Sequence, residues 1–119
     1  MSGYLFLFIG GNSSESNLSP EEMQQHMQKW FDWIDALKEK GIYKGGEPLE
    51  EGGLIVTSDK TVTDGPFPES KEMVGGYIRI ETESIEAASE VAKDCPVLNF
   101  GGRVEVRQIA IIEHTSPTP

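Results

Sequence analysis

Residues 4–9, Tyr-Leu-Phe-Leu-Phe-Ile, are apolar without a break. A short run of that kind predicts a strand in the middle of a sheet, covered on both faces. Gly10-Gly11-Asn12 ends it, and a polar Ser/Asn/Glu stretch leads on as a loop to Leu18. At Ser19 the apolar period changes from two to that of a helix. Ser19-Pro20-Glu21-Glu22 reads as a helix start: serine as N-cap, proline in the first turn, and glutamate placed to close a capping box. Leu18 and Met23 have the spacing of a hydrophobic staple, and Gly41 marks the stop after Lys40. Met23, Met27, Trp30, Ile34 and Leu37 form the expected stripe. Phe31 and Trp33 lie roughly 80° to either side of it at the helical period, with His26 on the Trp33 side. An apolar arc this wide exceeds what one sheet face needs, so one edge of the helix is expected to meet a second subunit or to line a pocket.

Beyond Gly41 the period returns to two. Residues 42–49 predict a short strand interrupted by Gly45-Gly46 and ended at Pro48, and residues 54–63 predict a hairpin turning tightly at Asp59-Lys60. Residues 76–81 alternate, with Tyr77, Arg79 and Glu81 on one face and Ile78 and Ile80 on the other. Ser84 caps a second helix, whose stripe is Ile85, Ala88, Val91, Ala92 and Cys95. Residues 103–107 alternate again, but the apolar phase then slips to Ile109 and Ile111, which predicts a bulge or an edge crossing after Arg107. Residues 113–119 read as a tail outside the packed domain.

With the hairpin set aside, the order is β-α-β-β-α-β, and the chain is read as one α+β domain over 1–119. This is the ferredoxin-like arrangement, an antiparallel sheet with both helices on one face. The other face then carries apolar side chains with no helix above them. Two such sheets placed face to face cover each other, so the pattern predicts a homodimer.

Composition narrows the function classes. Hydrophobic residues at 37% and charged residues at 25% describe a folded globular domain. A formal charge of −10 without a basic stripe argues against nucleic acid as a partner. The opening apolar run is too short to span a bilayer and has no basic residue before it, so the expectation is a cytoplasmic protein without a membrane role. Cys95, the single cysteine, lies before Pro96 without a nearby basic group and reads as a small packed hydrophobe.

No Gly-x-Gly-x-x-Gly or Walker loop follows a strand, and there is no Gly-x-Ser-x-Gly or His-Glu-x-x-His, so no cofactor is expected. With only His26 and His114, a histidine-rich metal site is not expected. The chemistry-bearing stretch is Thr63-Asp64-Gly65-Pro66-Phe67-Pro68-Glu69, where glycine and two prolines stiffen an acidic bend. Asp64 and His26 are the candidate acid–base pair. Glu47, Phe67, Glu69 and Tyr77 are the candidate ligand contacts, because Glu47 and Asp64 fall at strand ends where a hollow between sheet and helix would open. A turn cap at Asp64 and a structural histidine at His26 are the plainer roles for the same residues.

Leu-Ser-Pro-Glu-Glu-Met (18–23), Gly-Gly-Glu-Pro-Leu (45–49), Thr-Asp-Gly-Pro-Phe-x-Glu-x-Lys-Glu (63–72) with Gly-Gly-Tyr (75–77), and Val-Glu-Val-Arg (104–107) together resemble the YCII-related family. The Asp64–Phe67 run is similar to the branch named for its Asp-Gly-Pro-Phe motif. The resemblance implies a dimeric α+β barrel and a His/Asp acid–base site, with the family's helix-1 histidine position falling on Trp30 and His26 about one turn earlier. The stiff acidic loop beside glycine-rich strand ends leads to a small organic ligand held in an acidic pocket, with cofactor-free lyase or isomerase chemistry if there is turnover. The alternative is a non-catalytic interaction protein associated with extracytoplasmic-function sigma factors.

Overall fold

A computed structural model of the chain describes residues 1–10, 18–65 and 73–112. The strands β1 (Ser2–Ile9), β2 (Tyr43–Pro48), β5 (Val74–Thr82) and β6 (Arg103–Gln108) form one antiparallel sheet in the order β2-β5-β1-β6. Helices α1 (Pro20–Glu39) and α2 (Ile85–Ala92) both lie on one face of it, which is the ferredoxin-like arrangement read from the pattern. A second, two-stranded sheet pairs β3 (Leu54–Val56) with β4 (Val62–Asp64). No helix among the described residues is long and apolar enough to cross a membrane.

The central strand is β1, hydrogen-bonded to β5 on one side and β6 on the other. Tyr4, Phe6 and Phe8 point toward the helices and are buried, and Ile78 and Ile80 of β5 join them. Trp33 and Leu37 of α1, with Ala88 and Ala92 of α2, close the core from above. The alternate residues Leu5 and Leu7 are half-buried on the helix-free face. Coverage on both faces, expected of this run, is therefore complete on one side only within the chain.

The α1 start matches its sequence signature: the Ser19 hydroxyl accepts from the Glu22 N–H at 3.1 Å, and Glu22 accepts in return from the Ser19 N–H at 3.0 Å. Gly41 follows the helix with φ of 74°, a conformation that suits glycine. Leu37 of the predicted stripe is buried and Trp30 and Ile34 pack against the core, but the buried face is rolled from that stripe toward the Trp33 side. His26, Trp33 and Leu37 are buried, whereas Met27 is 40% and Phe31 55% exposed. The turn is affordable because the imidazole of His26 finds a hydrogen-bond partner inside, as a buried polar group must. In α2, Ser84 caps Ala87 as expected, but Ile85 lies largely exposed outside the core stripe.

Two further corrections concern turns. The hairpin does not close on a two-residue loop. Thr57 and Thr61 pair instead, Lys60 donates to the Thr57 carbonyl at 2.8 Å, and Lys60 takes φ of 67°. This is the longer hairpin loop in which a type I turn is followed by a left-handed residue. After Arg107, β6 shows no bulge; its register with β1 runs unbroken and the strand simply ends at Gln108, leaving Ile111 and Ile112 exposed. The five-residue 3-10 helix Pro96–Phe100, which the period did not reveal, sits between α2 and β6. The opening polar loop and the tail 113–119 fall outside the described residues or nearly so.

Asp59 holds the hairpin turn. Its carboxylate accepts from the Thr57 hydroxyl and from the Thr61 N–H, and these bonds hold it down from 3.8 to about 2. A depressed carboxylate supports the fold above its unfolded value and ceases to as pH falls through the folded one. The turn is therefore expected to loosen on acidification from 3.8 toward about 2, seen as collapse of the Thr57 and Thr61 amide shifts, and Asp59→Asn is expected to remove that pH response.

Candidate functional site

The insertion between β2 and β5 begins after Pro48 and returns before Gly75, and both of these residues border a cavity of about 420 Å³. That volume is in the range of small-molecule sites. The cavity lies between α1 and the β2 edge of the sheet. Met27, Trp30, Phe31, Ile34, Asp35 and Lys38 come from α1, and Tyr43, Gly46 and Ile78 come from the sheet, with Phe8 and Val97 behind. Glycine there lets β2 and β5 close on each other. A Cβ on Gly46 would lie 2.4 Å from the Tyr77 carbonyl oxygen, and one on Gly76 would lie 3.1 Å from that of Glu47. Gly46, Gly75 and Gly76 line the cavity without side chains, and its edge is shaped by a bulge in β2 between Tyr43 and Gly46, where the register with β5 shifts.

The walls are aromatic. Trp30 meets Phe8 edge to face at 4.9 Å and Trp33 at 5.9 Å, and Lys38 places its ammonium 5.5 Å from the Tyr43 ring centre. His26 is 3% exposed, with its ring 4.2 Å from that of Phe100. Its Nε2 accepts the indole N–H of Trp30 at 3.1 Å. An indole nitrogen only donates, so Nε2 carries no proton in this arrangement.

The structure brings His26, Glu47 and Tyr77 to one cavity. Glu47 and Tyr77 are directly opposite each other across β2 and β5, and the Tyr77 hydroxyl donates to Glu47 Oε1 at 3.0 Å. That bond, with the carboxylate charge beside it, raises the Tyr77 phenol above its ordinary value. The pleat turns both side chains to the face opposite Ile78, away from the helices, and the two residues line the cavity only at the sheet edge. Asp64 ends β4, is exposed, and is not among the described residues lining the cavity. Phe67 and Glu69 lie outside the described residues. Among the described residues, no three His, Cys, Asp or Glu side chains come together as a metal site. Cys95 is buried, and desolvation pushes its thiol up to about 12.

The residues that sequence reasoning did not assign to the site are Trp30, Phe31, Ile34, Asp35, Lys38 and Tyr43. The signal was there for the helix: the excess width of the α1 arc, which the exposed Phe31 now explains as one edge of a cavity.

Fold and site together define a ferredoxin-like α+β protein with a ligand-sized aromatic hollow on its helix face. Residues 4–113 match the model of the YCII-related domain, and the chain belongs to that family. No curated protein matches it by sequence. Among solved structures it is similar to 5-chloro-2-hydroxyhydroquinone dehydrochlorinase (TftG) from Burkholderia phenoliruptrix, in complex with 2,5-dihydroxybenzoquinone. The identity is 16% over 91% of this chain and 93% of that one, with a TM-score of 0.48.

Proposed function

We propose that the protein binds a small, flat, largely apolar organic ligand in the cavity between α1 and β2, and that it works as a cytoplasmic homodimer. The observation that carries the binding reading is the hollow itself: aromatic walls over a floor that is bare at Gly46 and Gly76, where a ring can lie against the peptide planes. Glu47 and Tyr77 line it at the sheet edge, with their hydroxyl–carboxylate bond on the helix-free side. Asp64, Phe67 and Glu69 are assigned to the same ligand because the insertion that carries them joins β2 and β5 beside Pro48 and Gly75, which line the cavity. The motif at Asp64–Phe67 supports placement in the Asp-Gly-Pro-Phe branch. Turnover, in this reading, is cofactor-free lyase or isomerase chemistry in which Asp64 takes or returns a proton of the ligand, with His26 as its partner behind the Trp30 wall.

Pairing through the helix-free face, as a dimeric α+β barrel, draws its support from the strand register. Leu5 stands between Arg107 and Arg79, and Leu7 between Glu105 and Tyr77, with Glu47 beyond. A two-fold stack that lays the basic row of one copy over the acidic row of the other matches charge while covering both leucines.

The test is a thermal-shift screen of uncharged ring compounds sized to the cavity, run on wild type and on Ile34→Trp, which fills it. A saturating ligand is expected to raise the wild-type midpoint by about 2 °C or more and to leave the filled variant unmoved. Failure of every compound on wild type, or equal shifts in both proteins, removes the binding reading. Asp64→Asn in the same screen isolates that carboxylate, and an unaltered response removes its role alone.

A further inference from the structure

We infer that His26 is a positioning residue that sets the width of the cavity by holding Trp30 back against Phe8, a proposal that rests on the binding reading above. Three observations meet here. His26 and Trp30 are four residues apart, one above the other on α1, and the indole N–H is bonded to Nε2 at 3.1 Å. His26 cannot follow the indole outward, because it is buried and its ring lies edge-on to Phe100 at 4.2 Å. Trp30 is itself a wall of the cavity, half-buried, with its far side on Phe8 at 4.9 Å.

The indole nitrogen has one proton to give and no lone pair to offer. While Nε2 accepts that hydrogen bond, the ring is tied at its polar corner and packed edge to face on Phe8. Without the acceptor, the donor would be left inside an apolar setting, and its nearest relief is water at the mouth. The ring would then turn into the hollow and fill the space a ligand needs. The imidazole thus acts on the ligand through the indole, and the pair decides how thick a ring the slot admits.

The experiment uses the full chain, 2-naphthol as the probe, and the variants His26→Leu, His26→Gln and Trp30→Phe. Glutamine can present an oxygen near the place of Nε2, whereas leucine removes the acceptor and keeps the bulk. Two readouts are followed: the Trp30 indole N–H resonance, assigned with Trp33→Phe, and the naphthol affinity by calorimetry. Wild type is expected to show a downfield, slowly exchanging Trp30 N–H. His26→Leu is expected to lose that protection and about tenfold in affinity, and His26→Gln to restore both to within about threefold. Trp30→Phe has no donor to leave unsatisfied and a smaller ring, so it is expected to keep naphthol binding within about threefold, alone and combined with His26→Leu.

An unchanged indole resonance in His26→Leu overturns the proposal, as does wild-type affinity in His26→Leu or a loss in the double variant His26→Leu/Trp30→Phe as large as in His26→Leu alone. If His26→Leu does not fold, His26→Gln decides the matter: indole protection and naphthol affinity kept or lost together support the proposal, and protection lost at wild-type affinity overturns it. A wild type that gains stability from the ring-compound screen yet binds no naphthol overturns this inference while the broader binding reading stands.

Discussion

Leu7→Asp is expected to halve the mass of the protein in solution. Leu7 lies on the helix-free face, directly opposite Tyr77 on β5 and Glu105 on β6. Within one chain it is only half-buried, so an aspartate there keeps water and costs the protomer little. Between two stacked sheets the same carboxylate would sit at the centre of the contact, in a row that already holds Glu105 and Glu47. Burying an unpaired charge there costs several kcal/mol, enough to shift association by roughly a hundredfold or more. Light scattering should read a two-subunit mass for wild type and one subunit for the variant, while circular dichroism stays the same. A wild type with the mass of a single subunit would withdraw the homodimer, and the substitution would then be silent.

The second large effect is on stability. Phe6→Ala is expected to cost about 3–5 kcal/mol, the usual range for truncating a buried aromatic ring. Phe6 is fully buried in the central strand, and its ring stacks on Trp33 at 6.3 Å with the planes 15° apart. It joins the sheet to α1, and neither β1 nor the helix can close the gap, because β1 is hydrogen-bonded along both edges. A domain of this size has only about 5–15 kcal/mol in total. The midpoint should therefore fall by roughly 10–20 °C. Ile85→Ala, on a side chain that is 41% exposed, is the control and should stay within about 0.5 kcal/mol. Urea titrations at fixed protein concentration measure both, which holds any subunit linkage constant. Equal losses in the two variants would mean that the core is not centred on Phe6.

The two experiments probe opposite faces of one strand. Tyr4, Phe6 and Phe8 face the helices, and Leu5 and Leu7 face away. A strand with apolar residues on both faces, in a sheet with helices on one side only, needs a cover of some kind on the other. That argument could be made from the period of residues 4–9 before any coordinates existed.

Local chemistry was legible residue by residue. Ser19 with Glu22, Ser84 and Gly41 mark helix ends because capping depends on a few neighbours in the chain. The alternation of residues 76–81 set Ile78 and Ile80 apart from Tyr77 and Arg79, and it holds because a pleat has period two whatever lies above it. The order of those elements was enough for the ferredoxin-like arrangement and, with the motifs, for the YCII-related family. Only the tertiary structure decided which way α1 rolls on the sheet. His26 goes inside and Met27 stays out because an indole N–H four residues on offers the imidazole a partner, and no hydrophobicity pattern encodes such a bond. The same roll leaves Phe31 at an edge and opens the hollow above Gly46, so the candidate site is a consequence of packing between distant segments, whereas the elements that build it are written locally in the chain.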